Sequence, residues 1–245
     1  MQFLGIKVDE ITKEQALQKA LEFLNLPAGR QVQSGQHKIF TPNPEMVVKA
    51  QKDEGFKQVL NTGDLNLCDG VGLQIFTGIK RVPGVDFMME LCKLAAEQGV
   101  GVYLLGSGED EVVGGAFEQL EKKYPNLMIS GYNKGPEISE NPVCKFDSPI
   151  FEQINQSGAQ ILFVAFGMGK QEKWIQENLS KMPKVKIAMG VGGSFDFISG
   201  KIKRAPLFMR RLGLEWLYRL IQQPSRIGRI FNATVRFTWL ALFKK

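Results

Sequence analysis

The chain has 245 residues, enough for one large α/β domain or two small ones, and its 44% hydrophobic and 23% charged content is ordinary for a globular protein. No apolar run approaches the roughly 20 residues that span a bilayer, so membrane contact is expected to be peripheral. The net charge of +6 is unevenly placed: residues 201–245 hold eleven Lys or Arg and one acid, Glu215, which leaves the first 200 residues at −4. Such asymmetry points to an anionic partner, a membrane surface or a nucleic acid.

Residues 3–8 read as a strand. Thr12 and Gln15 have the spacing of a helix capping box, and Leu17, Ala20, Leu21 and Leu24 follow at helical intervals. Residues 27–36 read as a polar loop. His37–Phe40 is a strand, ended by Thr41-Pro42-Asn43-Pro44, with Asn43 placed to cap the next helix. Phe56–Leu60 reads as a further strand. Val85–Gln98 is a helix stopped by Gly99, followed by a strand at Val102–Leu105 and a helix at Glu109–Lys123. Ile161–Phe166 is apolar at every position, as in a parallel strand covered on both faces. A helix at Lys170–Leu179 and a strand at Val185–Met189 continue the alternation.

The expected fold class is therefore α/β: a Rossmann-like, mostly parallel sheet with helices on both faces, plus a C-terminal helical appendage. Composition divides the chain into a domain over 1–200 and an appendage over 201–245. The N-terminus has no signal-peptide pattern, and three cysteines (Cys68, Cys92 and Cys144) lack metal-ligand spacing, which fits reduced thiols in the cytoplasm.

Ligands of open parallel sheets bind beyond the carboxyl ends of the strands. Thr41 and Asn43, a hydroxyl and an amide, stand at one such end, as ligand-facing groups or simple helix caps. Asp69 stands at another, before Gly70, as a helix cap or a general base. The Gly106-Ser107-Gly108 turn suits either a phosphate at a helix N-terminus or a tight turn with a cap. Position 111 is Glu, so the dinucleotide fingerprint lacks its third glycine. Gln171 could bond a sugar hydroxyl, and Gly192, Gly193 and Asp196 a nucleotide; helix-start roles are the alternative. His37, the single histidine, reads as a strand residue, which excludes His-rich metal sites. The Walker pattern and an Asp-x-Asp metal pair are both missing, so the diphosphate of a nucleotide sugar would need backbone dipoles and arginine.

Taken together, Thr41-Pro42-Asn43-Pro44-Glu45, Asp69-Gly70-Val71-Gly72, Arg81-Val82-Pro83-Gly84-Val85-Asp86, Leu105-Gly106-Ser107, Phe166-Gly167-Met168-Gly169-Lys170-Gln171-Glu172 and Gly190-Val191-Gly192-Gly193-Ser194-Phe195-Asp196 resemble, in order, the WecG/TagA/CpsF family of bacterial glycosyltransferases. The resemblance spans nearly the whole chain. It implies transfer of a sugar from a UDP-sugar to a polyprenyl-diphosphate-linked N-acetylglucosamine at the cytoplasmic membrane face, in cell-surface polysaccharide or teichoic acid synthesis. N-acetylmannosamine is the donor sugar of one branch, and its uronic acid, glucose and N-acetylglucosamine are the alternatives. It implies inversion at the anomeric carbon, no metal and no cofactor beyond the UDP-sugar co-substrate. Carried over, Asp69 is the catalytic base, Thr41, Asn43 and Gln171 bind sugar, and Arg81 contacts the diphosphate. The C-terminal segment is implied to be a membrane-targeting appendage that lends arginines to the active site. The stretch from Asp69 to Arg81 is shorter than in the family, residues 28–36 look like an insertion, and Met168-Gly169 departs from the family's pattern.

The tail's own pattern agrees with an appendage. A helix is expected over residues 207–222, and Pro224 interrupts before Ser225 caps a second. Arg210, Arg211, Arg219, Arg226 and Arg229 alternate with Trp216 and other apolar groups, the composition of an interfacial helix on anionic lipid. A core-packing helix pair or a homo-oligomer interface is the alternative. A nucleic-acid arm is disfavoured by the apolar content. Competing readings of the whole chain are a dinucleotide-dependent oxidoreductase and a non-catalytic membrane scaffold.

Overall fold

The computed structural model describes residues 1–25, 35–135 and 149–244; residues 27–34 of the expected loop, and Cys144, lie outside these. The strands are β1 (Gln2–Phe3), β2 (Ile6–Lys7), β3 (His37–Phe40), β4 (Leu65–Asn66), β5 (Val102–Gly106), β6 (Ile129–Asn133), β7 (Ile161–Ala165) and β8 (Ile187–Gly190). The helices of the body are α1 (Lys13–Asn25), α2 (Pro44–Ala50), α3 (Glu54–Asn61), α4 (Val71–Thr77), α5 (Gly84–Gln98), α6 (Asp110–Lys123), α7 (Pro149–Ser157), α8 (Lys170–Asn178) and α9 (Ser194–Ile198). The tail adds α10 (Leu207–Arg211), α11 (Glu215–Gln222), α12 (Ile227–Phe231) and α13 (Phe237–Phe243).

β3 to β8 form one parallel sheet in the order β4-β3-β8-β7-β5-β6. Successive side chains of a strand point to opposite faces, so a strand buried on both must be apolar throughout. β5 and β7 satisfy this: Leu104 and Phe163 enter one core beside α1, α5 and α6, while Leu105 and Val164 enter the other beside α2, α3 and α8. From β4 the chain crosses to β5 on the far side of β3, then works back through β7 to β8, which closes against β3. At such a reversal the loops leaving neighbouring strands diverge and open a crevice. The expected α/β class with its C-terminal helical segment is what the chain forms.

Four local expectations are corrected. Residues 3–8 are a hairpin of β1 and β2 rather than one strand. Phe56–Leu60 belongs to a helix, α3. Asp53 caps it by accepting from the Phe56 N–H at 2.8 Å, and Phe56 and Leu60, one turn apart, are both buried. The tail helix expected over 207–222 breaks at Gly213, whose φ is 75° and whose Cβ position is 2.5 Å from Val71 Cγ2. Only glycine allows that left-handed turn and that approach. Ser225 sits in a 3-10 turn, Pro224–Arg226, and caps nothing.

One large aromatic of the tail enters the core. Phe237 is 1% exposed, with ring centroids 5.9 Å from Phe3 and 5.7 Å from Phe76, inside the second core. Elsewhere the tail leaves apolar groups in solvent, among them Phe208, Leu212, Trp239 and Phe243. Of fifteen exposed large hydrophobic residues among the described ones, eleven lie between 207 and 243, so the exposed apolar surface is a tail property. No described helix is long and apolar enough to cross a membrane.

Candidate active site

Among the described residues, every strand of the sheet except β6 sends a site residue from its carboxyl end. Thr41 follows β3, Asp69 follows β4, Ser107 follows β5, Phe166–Met168 follow β7, and Val191–Asp196 follow β8. These loops line a polar cavity of about 420 Å³, together with Asn43, Gln171 and three tail arginines, Arg219, Arg226 and Arg229. A second cavity of about 450 Å³ lies between α4 and the tail. Its wall is more apolar: Val71, Ile75, Phe76, Trp216, Ile230 and Phe237. Asn43, Glu45, Asp69 and the same three arginines line both.

Asp69 thus stands where the two cavities meet. Its backbone N–H donates to Pro42 O at 2.8 Å, which fixes the β4 loop against the β3 loop. Its Oδ2 accepts from the Gly84 N–H at 3.3 Å. Asp69 therefore does cap a helix, but it is α5, fifteen residues on, rather than the adjacent α4. A Cβ at Gly84 would lie 3.3 Å from the Thr41 side chain, a tight contact, and 3.6 Å from Asp69 Oδ2. Burial pushes the Asp69 carboxyl up to about 6, against the pull of the Gly84 N–H and Arg81. A carboxyl with that value is ionised at neutral pH and still basic enough to take a proton.

The arginines differ in how they are held. Arg229 donates to both carboxylate oxygens of Glu45, Nε at 2.6 Å and Nη2 at 3.0 Å. Arg219 lies over the Phe197 ring, 4.7 Å from its centroid, and its buried Nε has no partner among the described residues. Its Nη2 is 2.7 Å from where a Gly193 Cβ would be, so a side chain there would displace it. Burial, then repulsion from Arg219 and Arg229, draws Arg226 down to about 10. Burial likewise lowers Arg219 and raises Asp196 beside it. Three guanidiniums crowded over a cavity repel one another, and a bound anion relieves that repulsion.

Comparison with known proteins identifies the family. The model of the "Glycosyl transferase WecG/TagA/CpsF family" matches residues 1–245. The chain belongs to that glycosyltransferase family. It is 36% identical over 200 residues to the N-acetylglucosaminyldiphosphoundecaprenol N-acetyl-beta-D-mannosaminyltransferase of Bacillus subtilis, covering 79% of this chain and 75% of the relative. Proteins of the same name from Bacillus spizizenii and Staphylococcus aureus are 31% and 30% identical, over 79% and 84% of this chain and 74% and 80% of theirs.

In this glycosyltransferase the expected site residues converge unevenly. Thr41, Asn43, Asp69, Gln171, Ser107, Gly192, Gly193 and Asp196 line the polar cavity. Asn43 also caps α2, its Oδ1 accepting from the Met46 N–H at 3.0 Å. Arg81 lines the apolar cavity and donates weakly to Arg210 O at 3.4 Å. Gly106 and Gly108 line neither cavity. The positive φ of Gly106 serves the approach of β5 to β7, where its Cβ would lie 2.7 Å from the Ala165 backbone. The N–H groups of Ser107 and Gly108 already donate to Ala165 O and Lys134 O. Trp216 walls the apolar cavity, whereas Arg210 and Arg211 line neither cavity.

Some groups escape a reading of the sequence. Arg204 donates to both oxygens of Asp86, at 2.5 and 3.0 Å, and to Glu215 at 3.0 Å, lacing the start of the tail to α5 and α11. Glu45 and Glu172 are legible only as members of the ordered motifs. Nothing local distinguishes Phe237 from its exposed aromatic neighbours.

Proposed function

We propose that this glycosyltransferase moves N-acetylmannosamine from its UDP derivative onto a polyprenyl-diphosphate-linked N-acetylglucosamine, with inversion and at the cytoplasmic face of the membrane. The observation that carries the reading is Asp69 at the junction of a polar and an apolar cavity. The polar cavity suits a sugar nucleotide, and the apolar one, open toward the tail, suits a lipid-linked acceptor. The named relatives act on an acceptor of this kind, and the product serves cell-surface polymers such as teichoic acid.

The reaction is a single displacement. Asp69 takes the proton of the acceptor hydroxyl, whose oxygen attacks the anomeric carbon. The bond from that carbon to the UDP oxygen breaks, and its electron pair leaves with UDP. An α-linked donor then gives a β-linked product. Charge building on the diphosphate is met by Arg219 and Arg226, which hold their donors in place before reaction. Arg229, engaged by Glu45, closes the tail over the site. Thr41, Asn43 and Gln171 hold the sugar, and Gly192, Gly193 and Asp196 the nucleoside end. The exposed aromatic and aliphatic face of residues 201–245 rests in the membrane interface with its basic groups on anionic headgroups.

The nearest competitor, a dinucleotide oxidoreductase, relies on the Gly106-Ser107-Gly108 turn, where the N–H groups of Ser107 and Gly108 are already bonded within the protein. Calorimetry separates the two. UDP is expected to bind and NAD to give no heat. Binding of NAD with no response to UDP would reverse the assignment.

A further inference from the structure

Gln171 and Glu172 open α8, under the floor of the polar cavity, and are 4% and 1% exposed. Glu172 is the only carboxylate among the buried polar side chains of the described residues. Burying such a group is costly unless donors surround it. Two do so here. The Gly169 N–H donates to its Oε2 at 2.7 Å, and Gln171 Nε2 donates to its Oε1 at 2.7 Å. Lys49 packs against Gly169 and offsets the charge. The other end of the Gln171 amide is also taken: its Oε1 accepts from the Gly192 N–H at 2.9 Å.

These bonds have a parity. A flipped Gln171 amide would set oxygen against the Glu172 carboxylate and N–H against the Gly192 N–H. Neither pairing is a hydrogen bond, so only one orientation is satisfied. Position 190 makes room for the amide in this place: a Cβ at Gly190 would lie 2.7 Å from Nε2, so only glycine admits it. Gln171 thus joins the loop after β7 to the loop after β8, the two glycine walls of the cavity. One N–H and one oxygen lone pair of the amide remain for a ligand.

Resting on the donor-site reading above, we infer that Glu172 is a positioning residue that locks the Gln171 amide in one orientation and thereby sets which sugar epimer the site accepts. A locked amide offers its donor and acceptor at fixed places, and epimers differ in where a hydroxyl meets them. An amide free to flip accommodates either. Glu172 itself touches no substrate.

The test uses the full chain, with UDP-N-acetylmannosamine and its C2 epimer, UDP-N-acetylglucosamine, as donors. In Glu172→Gln the KM for the first is expected to rise about tenfold to a hundredfold, the loss of a hydrogen bond to a charged partner. The change in kcat is smaller, and the preference between epimers narrows. The exchanged pair Gln171→Glu with Glu172→Gln guards against misfolding. In that pair the amide moved to position 172 can accept from the Gly169 N–H and donate to the carboxylate moved to position 171. That carboxylate in turn accepts from the Gly192 N–H, so every bond is restored while the amide beside the sugar is gone. Wild-type-like melting of that pair shows that the restored bonds carry the fold; recovery of selectivity in it would mean that the Gln171 amide does not set the epimer preference and would overturn the inference. Unchanged KM and epimer ratio in Glu172→Gln would overturn it as well. Amide exchange at Gly192 decides the lock without any donor: it should quicken in Glu172→Gln, and an unchanged rate refutes the lock. Failure of the wild type to use any UDP-sugar would instead count against the proposed function.

Discussion

Asp69→Asn is expected to lower turnover by at least about two orders of magnitude while the fold persists. Asparagine keeps an oxygen for the Gly84 N–H, so the cap on α5 survives and only the base is removed. The pH behaviour separates this from damage. Because the folded-state value is raised to about 6 from 3.8, the folded protein holds this proton more tightly than the unfolded chain. The group's contribution to stability is complete below about pH 4 and is lost as pH rises through about 6. Asp69→Asn should therefore melt like wild type at about pH 4 and no lower than it above about pH 6. Wild-type turnover should fall on the acid side near pH 6, as the base becomes protonated. Near-normal turnover in the variant, or an acid limb unchanged by it, would remove Asp69 from the role.

The second large effect is expected at Arg219. Its guanidinium lies over the Phe197 ring, beside Gly193, and its Nε has no partner among the described residues, so it is positioned before any anion arrives and keeps a donor for it. A preorganised donor to developing charge is worth about two to three orders of magnitude in kcat. Arg219→Ala should lose that much, and Arg219→Lys should recover little, because an ammonium neither stacks flat on the ring nor offers a planar fork. Arg229→Ala should cost less, since Arg229 is already committed to Glu45. Steady-state kinetics of the three variants, with UDP affinity measured alongside, test the ranking. Equal losses at Arg219 and Arg229 would contradict it.

What is legible in the sequence follows from physical range. The parallel sheet is readable because β5 and β7 are buried on both faces and must be apolar at every position. The α3 segment reads as a strand only while Phe56 and Leu60 are taken as a short apolar run. Their four-residue spacing and the Asp53 cap carry the helical signal. The polar floor of the site is legible as glycine turns after strands. The fate of the Gly106-Ser107-Gly108 turn is not, since the carbonyls that occupy its N–H groups come from Ala165 and Lys134, distant in sequence. Arg204 is hidden for the same reason: its partner Asp86 is 118 positions away. Composition marks the tail as basic and aromatic. It cannot tell Phe237, which enters the core, from Trp239 and Phe243, which stay outside, because docking against Phe3 and Phe76 decides that.

The central claim is most directly tested by one transfer assay. Polyprenyl-diphosphate-N-acetylglucosamine is placed in liposomes with and without anionic lipid, and UDP-N-acetylmannosamine is added with the full chain. The account predicts release of UDP and a β-linked disaccharide on the lipid, formed faster on anionic liposomes. No transfer from this or any other UDP-sugar, or a product that retains the donor's α configuration, would contradict it.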